Sequence, residues 1–333
     1  MSADNSIIGV TMGDPAGIGP EIILKSYKNK YLKTYNLVII GNVDVMEKVK
    51  NKIGIKGIDV NKINNISKAK FKKNTVNVLH LNNVEIKELV PGKVQSMAGN
   101  AAYEYVVKAV ELATNNKIDA IATAPLNKEA MHKAGHKYPG HTEILATLTN
   151  TKDYAMLLYD KKLKVIHVST HISLREAIYT LNKDRIVKVI KVAHNTMERL
   201  GYKNPRIGVA GINPHAGENG LFGNEEKREI IPAIDMARED GINVDGPVSP
   251  DTIFVKAKNG EYDIVVAMYH DQGHIPLKLL GFNTGVNITA GLPIIRTSVD
   301  HGTAFGKAWK GTANEFSMVQ AINLAYKLAS SCK

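Results

Sequence analysis

Three histidines follow short apolar, β-branched runs: His171 after residues 164–169, His215 after 206–212 and His270 after 264–268. Parallel α/β sheets gather ligands at the carboxyl ends of their strands, so imidazoles in that position can converge. Neutral imidazole is the commonest nitrogen ligand for a divalent cation, and three with one open position describe a catalytic rather than a structural site. A single such histidine is more often a satisfied polar residue. Repetition at equivalent strand ends, with glycine-containing turns beside His215 and His270, favours ligation over that bland role. His80, His132, His136, His167 and His194 lack this setting and read as surface or packing residues, although His167 lies two strand periods from His171 on the same face. His132 and His136 have helical spacing, but Gly135 between them weakens a helix-borne pair.

A second group suits anions. Tyr138-Pro139-Gly140-His141-Thr142-Glu143 enters a helical pattern, where free backbone N–H groups and the helix dipole favour phosphate or carboxylate. Lys278, Asn287 and Arg296 each flank an apolar segment further on. A lone Lys or Arg is usually a solvated charge, but a cation that follows a buried run must find an anion or remain costly. The stretch Gly13-Asp14-Pro15-Ala16-Gly17-Ile18-Gly19-Pro20-Glu21 follows the first strand and opens a helix. Its spacing is not G-x-G-x-x-G, and its two prolines remove donors that a phosphate cradle would use, so a Rossmann fingerprint is absent.

The elements that must position these groups are read from hydrophobic patterning. Strands are expected at 6–12, 37–41, 76–79, 119–124, 154–159, 164–169, 206–212, 264–268 and 286–289, several of them apolar throughout, as in strands buried on both faces. Helices are expected at 19–28, 97–114, 173–180, 183–200, 225–239 and 315–330. This alternation predicts α/β layers with mostly parallel sheets. Residues 50–77, polar and rich in Lys and Asn, read as a surface excursion, and 123–128 as a crossing between domains.

The 333 residues are 44% hydrophobic, 23% charged and 6% aromatic, the balance of a globular protein. Two domains are expected, because single cores stop growing above ~250 residues. One cysteine, Cys332, excludes an intrachain disulfide and a cysteine-built zinc site and points to a reducing compartment. The N-terminus lacks the basic and apolar regions of a signal peptide. No apolar run reaches the ~18–20 residues that span a bilayer, so the expectation is a cytoplasmic protein without a membrane partner. The net charge of +11 comes from scattered lysines. Without basic clusters interleaved with aromatics it predicts no nucleic-acid partner.

Taken in order, six segments resemble the 4-hydroxythreonine-4-phosphate dehydrogenase family, from about residue 7 to about residue 328. They are Thr11-Met12-Gly13-Asp14-Pro15-Ala16-Gly17-Ile18-Gly19-Pro20-Glu21, Thr123-Ala124-Pro125-Leu126-Asn127-Lys128, Gly140-His141-Thr142-Glu143, Asn213-Pro214-His215-Ala216-Gly217-Glu218, Tyr269-His270-Asp271-Gln272-Gly273 and Gly291-Leu292-Pro293-Ile294-Ile295-Arg296-Thr297-Ser298. The resemblance implies a fold similar to isocitrate and isopropylmalate dehydrogenases, with two α/β/α domains, mostly parallel sheets and an active site in the interdomain cleft. The first domain is then 1–128 plus about 300–333, and the second, about 129–299, carries most metal and substrate residues.

The same resemblance assigns metal ligation to His171, His215 and His270, and substrate contacts to His141, Thr142, Lys278, Asn287 and Arg296. It implies a homodimer with the metal site shared between subunits. Asp300-His301-Gly302-Thr303-Ala304 looks like the cofactor-adenosine loop of the isocitrate dehydrogenase group, which lets NAD bind without a Rossmann loop. The cofactors implied are NAD and a divalent metal, zinc first, with magnesium, manganese, cobalt or nickel as other occupants.

The implied reaction is oxidation of a phosphorylated 3-hydroxy acid at C3 followed by decarboxylation, as in pyridoxine biosynthesis from 4-hydroxythreonine 4-phosphate. Hydride leaves for NAD, while a Lewis-acidic cation favours both the alcohol's deprotonation and the loss of CO2. Lys278 and Arg296 become anion clamps, and Lys278, Asp251 and Asp271 the candidate catalytic groups. The two carboxylates are candidate proton acceptors, the alternative being that they orient a ligand histidine or cap a helix. Two departures stand out. Gly306-Lys307-Ala308-Trp309 replaces the usual continuation of the cofactor loop, an Asp, a small apolar residue and Ala-Gly. His274 replaces an apolar residue of the biosynthetic enzymes, and Gly273-His274-Ile275-Pro276 looks more like the subgroup that converts D-threonate or D-erythronate 4-phosphate to dihydroxyacetone phosphate and CO2. A phosphate acyltransferase of related fold, needing no histidine metal site, is the distant alternative.

Overall fold

Each of the nine apolar runs read as a strand forms one in the computed structural model, which describes residues 5–32, 34–281 and 285–331. The sole cysteine, Cys332, lies outside the described residues. The strands are β1 (Ile7–Thr11), β2 (Asn36–Gly41), β3 (Asp59–Ile63), β4 (Thr75–His80), β5 (Ala120–Thr123), β6 (Ala155–Tyr159), β7 (Lys164–His167), β8 (Ile207–Ala210), β9 (Val244–Val248), β10 (Ile264–Ala267), β11 (Val286–Ala290) and β12 (Arg296–Ser298). The helices are α1 (Gly19–Ser26), α2 (Val43–Lys52), α3 (Ser96–Thr114), α4 (Lys128–Lys133), α5 (His141–Leu148), α6 (Leu174–Tyr179), α7 (Lys183–Arg199), α8 (Ile231–Glu239), α9 (Ile253–Lys258), α10 (His270–Gly281) and α11 (Phe316–Ser331).

The chain parts into two units, Met1–Thr151 with Leu292–Lys333, and Lys152–Gly291. In the first, the strand order is β3-β4-β2-β1-β5-β12 and every pairing is parallel. In the second the order is β11-β6-β7-β10-β8-β9, with β11–β6 and β6–β7 antiparallel and the rest parallel. Both are the expected α/β layers: α1, α3 and α11 pack in the first unit and α7 against β7, β8 and β10 in the second. Central strands such as β5 and β10 are buried along their whole length, which explains their unbroken apolar runs.

The crossings fall at 151/152 and 291/292, not at 128/129 and about 300. Helix α5 packs on α3, and β12 pairs with β5, so 129–151 and 292–299 stay with the first unit. Residues 123–128 are not a crossing either; Asn127 ends the loop after β5 by capping α4, its Oδ1 accepting from Ala130 N at 2.8 Å.

Residues 50–77 are more ordered than their composition suggests. They contain β3, an edge strand with one neighbour, whose Asp59 and Lys62 are exposed and which therefore needs no apolar run. Buried Asn77 on β4 organises the turn, its Oδ1 accepting from Asn61 Nδ2 at 2.9 Å and Lys70 N at 2.8 Å. At the other edge, β9 contains Gly246 and Pro247, which erase its periodicity. The expected helix at 225–239 is a π turn, Glu226–Ile230, followed by α8.

The segment 13–21 has a structural duty. Gly13, at φ +70°, lets the backbone pass against Pro125, where a Cβ would collide. Buried Glu21 accepts from Gly311 N at 3.1 Å and Ala313 N at 2.8 Å, and Trp309, 1% exposed, donates its indole N–H to Pro15 O at 3.1 Å. The unusual 306–309 segment is thus anchored onto the first loop. Among the described residues no helix is long and apolar enough to cross a membrane.

Candidate active site

The histidines predicted as ligands all belong to the second unit, each beyond a parallel strand. His171 follows β7 and is exposed; His270 opens α10 after β10 and is half-buried. Their rings lie 5.9 Å apart between centroids. His215 follows β8, is exposed, and has Phe222 as its aromatic neighbour at 6.1 Å.

The loop around His215 is held under backbone strain. His215, Ala216, Gly217, Glu218 and Asn219 all have positive φ, from 42° to 81°, a left-handed turn that costs roughly 1–2 kcal/mol for each non-glycine residue. Glu226 offsets this. Its buried carboxylate accepts from Ile212 N and Asn213 N at 2.8 Å each and from Asn213 Nδ2 at 2.9 Å. The π turn brings Glu225 to the same amide, at 2.7 Å. Gln272 then ties α10 to β8, its side chain accepting from Met268 N at 2.6 Å and donating to Gly211 O at 2.7 Å. Neither Glu226 nor Gln272 was legible as a site residue; the sole signal was their nearness to the histidine motifs.

Asp271 bonds His270 Nδ1 at 2.6 Å through Oδ1, and this bond holds its carboxyl below the usual range. Asp251 is likewise lowered, first by the Ser249 hydroxyl that donates to it at 2.6 Å. A carboxylate with depressed basicity is a weak proton acceptor, whereas a carboxylate on Nδ1 is the usual way a ligand histidine is oriented. His167 and His274, read as packing and as a departure of unstated role, both come to His270. His274 stacks on it at 3.6 Å and hydrogen-bonds His167 at 3.2 Å. Their spacing was the available signal: 270 and 274 are one helical turn apart. Lys278, another turn along α10, is exposed, and Asn287 on β11 has its Oδ1 buried without a hydrogen-bond partner.

The remaining substrate candidates lie in the first unit. Arg296, 2% exposed on β12, donates from Nε at 3.2 Å and Nη2 at 2.7 Å to Thr123 Oγ1 at the end of β5. Burial lowers its guanidinium to about 9, with Glu143 opposing the shift. His141 opens α5 with Thr142, and its Nε2 is buried without a hydrogen-bond partner. Burial, then the charges of Arg296 and Lys128, hold the imidazole well below its ordinary range, so it is neutral. Exposed Lys128, whose Cε lies close to Gly140, is a further cation that spacing alone does not single out as a site residue. Two cations and a neutral imidazole with an open nitrogen have the chemistry to receive an anionic oxygen.

In the expected cofactor loop, Thr303 O accepts from Ile18 N at 3.1 Å, and open space surrounds the position where a Cβ on Gly302 would stand. Asp300 is half-buried and Ala304 takes a left-handed φ of 40°. His301 Nδ1 faces Gly302 O at 3.0 Å, while its Nε2 is buried and unpartnered. An orphaned ring nitrogen beside an open glycine fits a polar ligand, as a nucleotide cofactor requires.

Among the described residues no group of three or more His, Cys, Asp or Glu side chains could hold a metal ion. The donor chemistry nonetheless fits one: His270 presents Nε2 while Asp271 occupies Nδ1, and His171 stands beside it.

The chain matches the family model described as pyridoxal phosphate biosynthetic protein PdxA over residues 33–325. It is 54% identical over 326 residues to the D-threonate 4-phosphate dehydrogenase of Salmonella typhimurium, covering 98% of this chain and 100% of that protein. It is 49% identical to the D-threonate 4-phosphate dehydrogenase of Cupriavidus necator, covering 97% of each. The crystal structure of 4-hydroxythreonine-4-phosphate dehydrogenase from Klebsiella pneumoniae superposes with a TM-score of 0.94 at 53% identity, covering 99% of both chains. With a family model matched over residues 33–325 and kinship along its whole length, the chain belongs to the PdxA family, as an NAD-dependent, oxidatively decarboxylating dehydrogenase.

Proposed function

We propose that this dehydrogenase oxidises D-threonate 4-phosphate rather than 4-hydroxythreonine 4-phosphate. The observation that carries the reading is the 54% identity, over the full length, to an enzyme of that name. D-Erythronate 4-phosphate, which differs only in stereochemistry, is the second candidate. C3 loses hydride to NAD+ and its hydroxyl loses a proton. The β-keto acid loses CO2, and reprotonation at C2 leaves dihydroxyacetone phosphate. The acyltransferase alternative is set aside by membership of a dehydrogenase family.

In this reading Arg296, His141 and Thr142 of the first unit are substrate contacts for an anionic group, and Lys278 and Asn287 of the second are substrate contacts as well. Neutral His141 donates or accepts at Nε2 without adding charge. Asp300, His301, Gly302, Thr303 and Ala304 hold the adenosine of NAD. His171, His215 and His270 would hold a divalent cation, zinc first, which when bound supplies Lewis-acid stabilisation of developing negative charge on the substrate oxygen. Asp271 fixes the His270 ring. Lys278 is the remaining group of suitable chemistry to exchange a proton with substrate, with Asp251 as the alternative.

A homodimer with ligands drawn from both subunits would be consistent with the lack of a three-ligand group among the described residues. Exposed apolar side chains on the segments that follow the histidines support it: Leu174 at 55% and Tyr179 at 89% after His171, Leu221 at 72% after His215, and Leu279 at 82% after His270. A substrate panel tests the main reading. With NAD+ and a defined divalent ion, kcat/KM should be highest for D-threonate 4-phosphate; higher efficiency with 4-hydroxythreonine 4-phosphate would reverse it.

A further inference from the structure

Two imidazoles stand buried behind His270 with no part in the reaction as described. His167 on β7 is 1% exposed and His274 on α10 is 6% exposed. Their bonds define a relay of fixed tautomers. His167 Nδ1–H donates to Met156 O of β6 at 3.2 Å, which leaves Nε2 as an acceptor. His274 Nδ1–H points to that Nε2 at 3.2 Å and to His270 O at 3.0 Å. The His274 ring lies on the His270 ring, centroids 3.6 Å apart and planes 13° from parallel. The packing has no slack, because a Cβ on Gly273 would collide with His167 Nε2 and Val165.

An apolar pair would fill this volume without the need to satisfy buried nitrogens. What the histidine pair adds is direction. The ring of His270 is gripped on its face by His274 and on its Nδ1 edge by Asp271 at 2.6 Å, while β6 and β7 brace His274 from behind through His167. A ring held on face and edge cannot rotate about its Cβ–Cγ bond without breaking one of them. We propose that His274, braced by His167, is a positioning residue that fixes the His270 imidazole in the orientation that binds a divalent cation. This rests on His270 being a cation ligand.

Cobalt(II) titration of the full-length protein tests it, read by affinity and by the visible absorption of the bound ion, which reports ligand geometry. His274→Leu, which removes the stack and both hydrogen bonds, should weaken cobalt binding by ~10–100-fold, as loss of an orienting partner does, and shift the absorption bands. His167→Phe, which keeps an aromatic ring but leaves His274 unbraced, should move both readouts in the same direction and serves as the test if His274→Leu does not fold. His270→Ala separates cation ligation from ring positioning. If it leaves cobalt affinity unchanged, His270 is no ligand and the proposal falls with that reading. If it abolishes binding while folded His274→Leu keeps wild-type affinity within twofold and an unchanged spectrum, the ligand reading stands and the positioning role is overturned.

Discussion

The two units hold their functional groups in opposite ways. In the first, two of the candidate anion contacts are enclosed: Arg296 is 2% exposed and the open nitrogen of His141 is buried. In the second, His171 and His215 are exposed, and no three-ligand group forms among the described residues. A receptor for phosphate or carboxylate can be finished within one chain, because its donors are fixed in advance by strand and helix. The proposed metal cage, shared between subunits, would be left open in one of them, its candidate histidines followed along the chain by exposed apolar side chains that another copy can cover.

The sharpest way to break this contrast is at the open side. His215→Ala should abolish turnover and reduce divalent-ion retention by more than ~100-fold, beyond what loss of an orienting partner costs; unchanged retention by equilibrium dialysis would sink the shared-cage reading. On the sealed side, Arg296→Met should cost about 2–5 kcal/mol in substrate binding, the loss expected when one member of a buried charged pair is truncated. Steady-state kinetics would show this mainly as a raised KM, and inorganic phosphate should no longer raise the variant's melting temperature.

The sealed unit also makes a prediction about pH. Burial pushes the Asp14 carboxyl up to about 7 from 3.8, against a lowering bond from Ala16 N. Between those values the unfolded chain releases a proton that the folded chain keeps, so stability falls as pH rises through the window and is lowest above it. The difference amounts to about 4 kcal/mol at 1.36 kcal/mol per unit. Asp14→Asn should flatten that slope in urea unfolding measured from pH 4 to 8; an unchanged slope would contradict it. The smallest effect belongs to Asp271→Asn, which should weaken cation binding ~10-fold while leaving phosphate protection intact. If phosphate protection fell as well, cation binding and anion binding would not be independent.

What the sequence made legible follows from what leaves a periodic or chemical mark. Strands buried on both faces, such as β5 and β10, announce themselves as apolar runs, and the histidines that follow β7, β8 and β10 could be picked out from that position alone. β3 and β9 escaped because edge strands need no apolar run and because Gly246 and Pro247 interrupt the second. The unit boundaries were displaced because α5 and β12 take their allegiance from tertiary packing on α3 and β5. The supporting residues were the least visible. Glu226 acts across 13 positions on Asn213, and His167 across 107 on His274, distances over which spacing carries no signal.

Trp309 has a practical consequence. It is the chain's one tryptophan, and its indole is enclosed within the first unit against Pro15. Light absorbed at wavelengths that tyrosine does not take up is therefore re-emitted from that unit alone. Loosening of the second unit would leave the emission colour untouched, whereas release of the 306–313 strap would redden it, so the native chain already carries an optical gauge for one of its halves.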